Sequence, residues 1–135
     1  MKNGKKIVMV VLLAVVCGGA LKAQMPAVMS LREEADVVNT WLKARLNDVL
    51  PDIMRREKID MWLIICREYN EDPVFPTLVP APTMAARRLT MLVFYDRGDK
   101  GVERLTVSKY GISGYYDKAW DESAGGQWEA LKKVI

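Results

Sequence analysis

Between Leu31 and Ile53 apolar residues recur at steps of three and four, at Leu31, Ala35, Val38, Leu42, Leu46, Val49 and Ile53. That is the period of one buried helix face, and Arg32, Glu34, Asp36, Lys43 and Asp48 keep to the other side. Ser30 and Glu33 have capping-box spacing, in which the hydroxyl accepts one orphan amide and the carboxylate another, so the helix is predicted to begin here. Pro51 removes an amide donor inside the pattern and predicts a kink or restart, with "DIMRREK" as the closing turns. The polar face mixes both charge signs, unlike the Lys- and Arg-rich face of a helix lying on a membrane.

The pattern then changes. "IDMWLIIC" has no alternation, which predicts a strand covered on both faces, as in an α/β sheet. "RLTMLVFYD" and "VERLTVSKY" predict two further strands, and "RGDKG" between them predicts a hairpin. "GGQWEALKKVI" predicts a helix after Gly125 and Gly126 with Trp128, Leu131 and Ile135 on one face. The fold class is therefore α/β, a mixed sheet flanked by helices. Residues 67–87 connect two strands through Pro73, Pro76, Pro80 and Pro82. A connection of that length either does something or hides a short helix. A fully buried strand at 60–66 needs neighbours on both sides, and three strands are few, so the pattern predicts a sheet that continues beyond Ile135.

Composition changes this picture at one end. "MKNGKKIVMVVLLAVVCGGALKAQ" joins a lysine-rich start, an apolar run from Ile7 to Val16 and small residues up to Ala23. This predicts an export signal at residues 1–23, cleaved after Ala23, and a periplasmic or secreted protein. The apolar run is shorter than the roughly 20 residues a spanning helix needs. A lipid anchor at Cys17 is the alternative, with Val16 standing where a small residue is wanted. Four of the 20 basic residues lie in this segment, leaving 16 against 17 acids, so the exported part is close to neutral. Nucleic-acid binding, which rests on phosphate neutralisation, thereby loses its compositional support. Only Cys66 of the two cysteines remains, so no internal disulfide can form, and its place in an apolar run predicts a buried thiol.

The same chain excludes much chemistry. With no histidine anywhere, Ser/His/Asp and Cys/His nucleophile arrangements and His-based zinc sites are impossible. "GDKG" and "GISGYY" lack the spacing and ending of a phosphate loop. What remains is "REYNEDP", where Glu68, Tyr69, Asn70, Glu71, Asp72 and Pro73 follow directly on the strand. Three readings stand for it. Carboxylates and an amide could hold a hard cation, although the spacing of a calcium loop is missing. Asn70, Asp72 and Pro73 suit a well-made turn. Loops beyond the carboxyl ends of strands also line ligand crevices in α/β sheets. Arg87 and Arg88 raise a similar choice, because adjacent strand residues point to opposite faces: one could tether the 67–73 loop through a carboxylate, or it could meet an anionic ligand group. Tyr110, Tyr115, Tyr116 and Trp120 read either as an aromatic binding strip or as anchors of a glycine-rich loop.

At "MRREKIDMWLIICREYNEDPVF" and "AARRLTMLVFYDRGDKGVERL" the chain resembles the N-terminal region of exported pita-bread metallopeptidases, the family of aminopeptidase P, prolidase and creatinase. The likeness runs from about Ser30 to Ile135 and rests on whole phrases rather than on a chemical motif. It implies a signal at 1–23, a short linker at 24–29 and a creatinase/prolidase-type N-terminal domain at 30–135, truncated at its C-terminal end. It also implies that the catalytic domain, absent here or separately encoded, binds two divalent metal ions and cleaves bonds next to proline in short peptides. No catalytic or metal-ligating residue of the family then maps onto this chain. The expected role is to shape the substrate cleft and the contacts of a homodimer, through Glu68, Tyr69, Asn70, Glu71 and Arg88. The rival expectation is a stand-alone periplasmic domain that binds a peptide or a protein without enzymatic activity.

Overall fold

Ser30 caps the first helix as its spacing requires. Its hydroxyl accepts the Glu33 N–H at 3.3 Å and the Glu33 carboxylate accepts the Ser30 N–H at 2.8 Å. The computed structural model describes residues 28–135 apart from Met84 and Ser113, so the export signal and most of the 24–29 linker lie outside the described residues. Helix α1 covers Leu31–Ala44, a π-helical turn Arg45–Val49, and α2 Leu50–Arg56. The π turn places one extra residue in the helical path, as its Leu50 N–H to Arg45 C=O bond shows. The buried face therefore runs Leu42, Leu46, Leu50, Met54 instead of passing through Val49 and Ile53, which are exposed. Pro51 falls in the first turn of α2, where its missing N–H leaves no gap, so the expected restart is a π turn rather than a break. Leu31, expected on the inner face, is exposed at the start of α1.

Helix α2 ends in a Schellman motif. Lys58 takes the left-handed position at φ 57°, Ile59 N–H reaches Met54 C=O at 2.8 Å, and Lys58 N–H reaches Arg55 C=O at 3.2 Å. The chain then enters β1 (Met61–Arg67), and after the long connection come β2 (Leu89–Asp96), β3 (Val102–Thr106), β4 (Asp117–Lys118) and helix α3 (Gln127–Val134). The four strands form one mixed sheet in sequence order, antiparallel from β1 to β2 to β3 and parallel from β3 to β4. The predicted hairpin after "YD" is present, with Gly98 and Gly101 at φ 65° and 82° supplying its left-handed positions.

Strand β2, not β1, is the buried centre. Thr90 through Phe94 are buried, while β1 pairs with β2 alone among the described strands and leaves Ile65 44 % exposed. The run at 61–66 lacks alternation because both of its faces touch apolar neighbours. Trp62, Ile64 and Cys66 meet the α1–α2 side, and Met61 and Leu63 meet the α3 side. The two layers differ in depth. Thirteen buried side chains, among them Leu42, Met54, Phe75, Leu92, Phe94 and Tyr116, fill the α1–α2 face. Among the described residues the buried apolar side chains on the other are Met91, Val93, Val107 and Leu131. There α3 turns Ala130, Leu131 and Val134 to the sheet while Trp128 and Ile135 stay exposed, against the expected face. Gln127 fixes that rotation, its side-chain NH2 donating to Leu89 C=O at 2.9 Å and Val107 C=O at 2.6 Å.

Candidate functional site: the rim and cavity beyond β1

The connection between β1 and β2 contributes four described residues to the core. A 3-10 turn at Phe75–Thr77 sits in its middle, as its length suggested, and Phe75, Leu78, Val79 and Ala86 are buried beneath it. Three side chains from outside hold its carbonyls and amides, which lets a loop be buried without orphaned groups. Asn39 Oδ1 accepts the Ala81 N–H at 3.0 Å, Tyr116 Oη donates to Leu78 C=O at 2.6 Å, and Arg45 donates to Thr77 C=O. Burial pushes the Tyr116 hydroxyl far above its ordinary pKa, so it stays a donor. Tyr116 thus anchors the long connection and Trp120 donates to Gly125 C=O at 2.9 Å, whereas Tyr110 is half exposed.

"REYNEDP" divides by role. Asp72 forms a local turn, Oδ1 accepting the Val74 N–H at 2.8 Å, and its own N–H points at Cys66 Sγ at 3.3 Å. Cys66 is buried as expected, and burial raises its thiol pKa. Glu71 turns inward, half buried, to accept the Ala86 N–H at 3.2 Å. Its carboxylate thus ties the two ends of the long connection together. Glu68 and Tyr69 form the tip of a two-residue turn, closed by Arg67 N–H to Asn70 C=O at 3.3 Å and Asn70 N–H to Arg67 C=O at 2.9 Å. Both turn residues are exposed, and Tyr69 is 94 % exposed.

Two backbone outliers meet at this rim. Tyr69 stands at φ 67° and Arg88 at φ 54°, and the Glu68 N–H donates to Arg88 C=O at 2.8 Å between them. A non-glycine residue in left-handed backbone costs on the order of 1 kcal/mol, and such residues gather at functional sites. The left-handed Arg88 also explains why the expected tether is not made. Residues 87 and 88 precede β2 and do not follow strand alternation, and no ion pair joins either arginine to Glu68, Glu71 or Asp72 among the described residues. The Arg87 guanidinium instead lies 5.5 Å from the centre of the Tyr110 ring, within cation–π range.

Behind the rim lies a surface cavity of about 750 Å³. Phe75, Pro82, Ala86 and Ile112 give it apolar walls, and Glu68 and Arg87 bring opposite charges to its lining. Of the expected residues Glu68 reaches this cavity, Tyr69 and Asn70 shape the turn beside it, Glu71 braces the loop, and Arg88 contributes its carbonyl. Arg87 and Tyr110 are the lining residues that sequence reasoning weighed without choosing. The strand-alternation argument could not separate Arg87 from its neighbour. Comparison of the chain with family models, curated proteins and solved structures finds no match.

Proposed function

We propose that this chain is the non-catalytic N-terminal domain of an exported proline-directed metallopeptidase, of creatinase/prolidase type, that shapes the substrate cleft and the contacts of a homodimer. The observation that carries the reading is the strained rim: Tyr69 and Arg88 hold left-handed backbone where neither lies at a helix end, and Tyr69 holds an almost fully exposed ring there. An aromatic side chain fixed in water gains nothing for the fold, but it suits contact with a peptide or a second subunit. The resemblance of "REYNEDP" and "ARRLTMLVFYDRG" to the pita-bread metallopeptidases supports the same reading.

Bond cleavage belongs to the partner catalytic domain in this account. The donor set of the chain does not fit a two-metal centre of that family. Its sequence has no histidine, and no three Asp, Glu or Cys side chains gather among the described residues. The test has two stages. The coding sequence around the chain is read for a segment bearing two Asp, one His and two Glu metal ligands. Tyr69→Ala and Glu68→Ala are then made in the assembled enzyme, with lower kcat/KM on proline peptides or a weakened dimer expected. Turnover and dimer both unchanged would remove the rim from the mechanism.

A second reading has its own support. Helices of this chain already cover both faces of the sheet, which suits a stand-alone periplasmic domain that binds peptides or proteins. Cooperative unfolding of the purified chain, with no metal-ligand segment encoded nearby, would favour it.

A further inference from the structure

We infer that the cavity behind the rim binds a short unblocked peptide as a zwitterion, its ammonium group at Glu68, its carboxylate at Arg87 and an apolar side chain between them. The cavity volume of about 750 Å³ falls in the usual range for small-ligand sites of roughly 300–1,000 Å³. Such sites combine an apolar lining with a few placed polar groups, and Phe75, Pro82, Ala86 and Ile112 supply the first part here. The second part is a carboxylate and a guanidinium of opposite sign on one lining.

Neither charge is neutralised by an opposite one among the described residues. Glu68 and Arg87 form no ion pair with each other or with another side chain among the described residues. Arg87 is held at the wall by the Tyr110 face, which leaves the guanidinium edge and its N–H donors for a carboxylate. The Glu68 backbone is held by its N–H bond to Arg88 C=O at 2.8 Å, which keeps the residue on the cavity lining. A single fixed charge would select an anion or a cation. Two opposite ones select a molecule that carries both, and an unblocked peptide is that molecule with an apolar group to fill the middle.

The inference deepens the peptidase reading, yet it is tested on the full chain without a catalytic partner. A failed titration therefore removes the ligand and leaves the partnership to its own experiment. Leucylalanine is titrated into the 15N-labelled chain and followed by 1H–15N correlation spectra, beside N-acetyl-leucylalanine and leucylalaninamide. Shifts confined to the amides around Glu68, Arg87, Thr90 and Ile112 are expected for the free dipeptide. Each blocked form should bind about tenfold more weakly, the value of one charge-assisted hydrogen bond. Arg87→Gln should abolish the discrimination against the amide and keep that against the acetylated form, and Glu68→Gln should do the reverse. Both residues are exposed, and the blocked peptides test the unaltered chain in any case. Equal binding of free and blocked peptides, shifts elsewhere on the surface, or no shift at all would overturn the inference.

Discussion

The α1–α2 face of the sheet and the rim beyond β1 obey opposite rules. On the face, backbone conformation and burial agree: Leu42, Leu46, Leu50 and Met54 follow a helical stripe onto Ile64, Leu92 and Phe94. At the rim, Tyr69 and Arg88 hold costly left-handed backbone, and the Tyr69 ring is buried against nothing. Lys58 shows that a positive φ alone is not the difference: Lys58 and Tyr69 each sit in a turn closed by two backbone hydrogen bonds, and what sets the rim apart is the exposed Tyr69 ring. Natural sequences depart from local consistency mainly where function requires it. The contrast places stability on the face and is what the proposed recognition role of the rim rests on.

Breaking the face should have the largest effect. Phe94 is fully buried, with its ring 5.6 Å from Trp62 and 5.8 Å from Tyr116 between centroids. Phe94→Ala should cost about 3–5 kcal/mol, a large part of the roughly 5–15 kcal/mol a native domain has. The urea midpoint measures this, and an unchanged midpoint would mean that this layer is not the core. Tyr116→Phe tests the boundary between the two regions. It leaves the Leu78 carbonyl without its donor and should cost about 1–2 kcal/mol by the same measurement.

At the rim the sign should reverse. Tyr69→Gly relieves the left-handed strain and should raise stability by up to about 1 kcal/mol, while peptide or subunit binding weakens. A loss of stability equal to that of a core substitution would erase the contrast. The smallest effect is a pH dependence. Arg55 clamps the β2–β3 hairpin to α2, its Nε 3.0 Å from Asp96 Oδ2 and its Nη2 2.9 Å from Gly98 C=O, and this hydrogen bond holds the Asp96 carboxyl below its ordinary pKa. A depressed carboxyl pKa gives stability that is present above the unfolded value, near about 3.9, and lost as pH falls through the folded value. Asp96→Asn should lower stability through the neutral range, where that contribution is present, and leave the acid extreme little changed, so that stability measured by urea midpoint falls less steeply as pH drops.

Much of the scaffold was legible in the sequence because it rests on local signals. The Ser30–Glu33 cap, the hairpin at Gly98 and Gly101 and the helix after Gly126 each depend on a few neighbouring residues. Where spatial context decided, the reading failed. The π turn at Arg45–Val49 moves the buried stripe by one residue, and no composition rule places it. The two-residue β4 is too short for a pattern. Strand β1 lacks alternation whether it is central or marginal, so its edge position among the described strands is visible only in the pairing with β2. Of the site, the loop and Glu68 could be read from charge clustered after an apolar run. The cavity could not, since Phe75, Arg87, Tyr110 and Ile112 come from separate segments.

The central claim is that this chain recognises and positions but performs no bond cleavage. Its most direct measurement is the metal content and turnover of the purified chain, equilibrated with manganese or zinc and given a proline dipeptide. The account predicts no stoichiometric metal and no hydrolysis by the chain alone. Stoichiometric metal together with hydrolysis would contradict it.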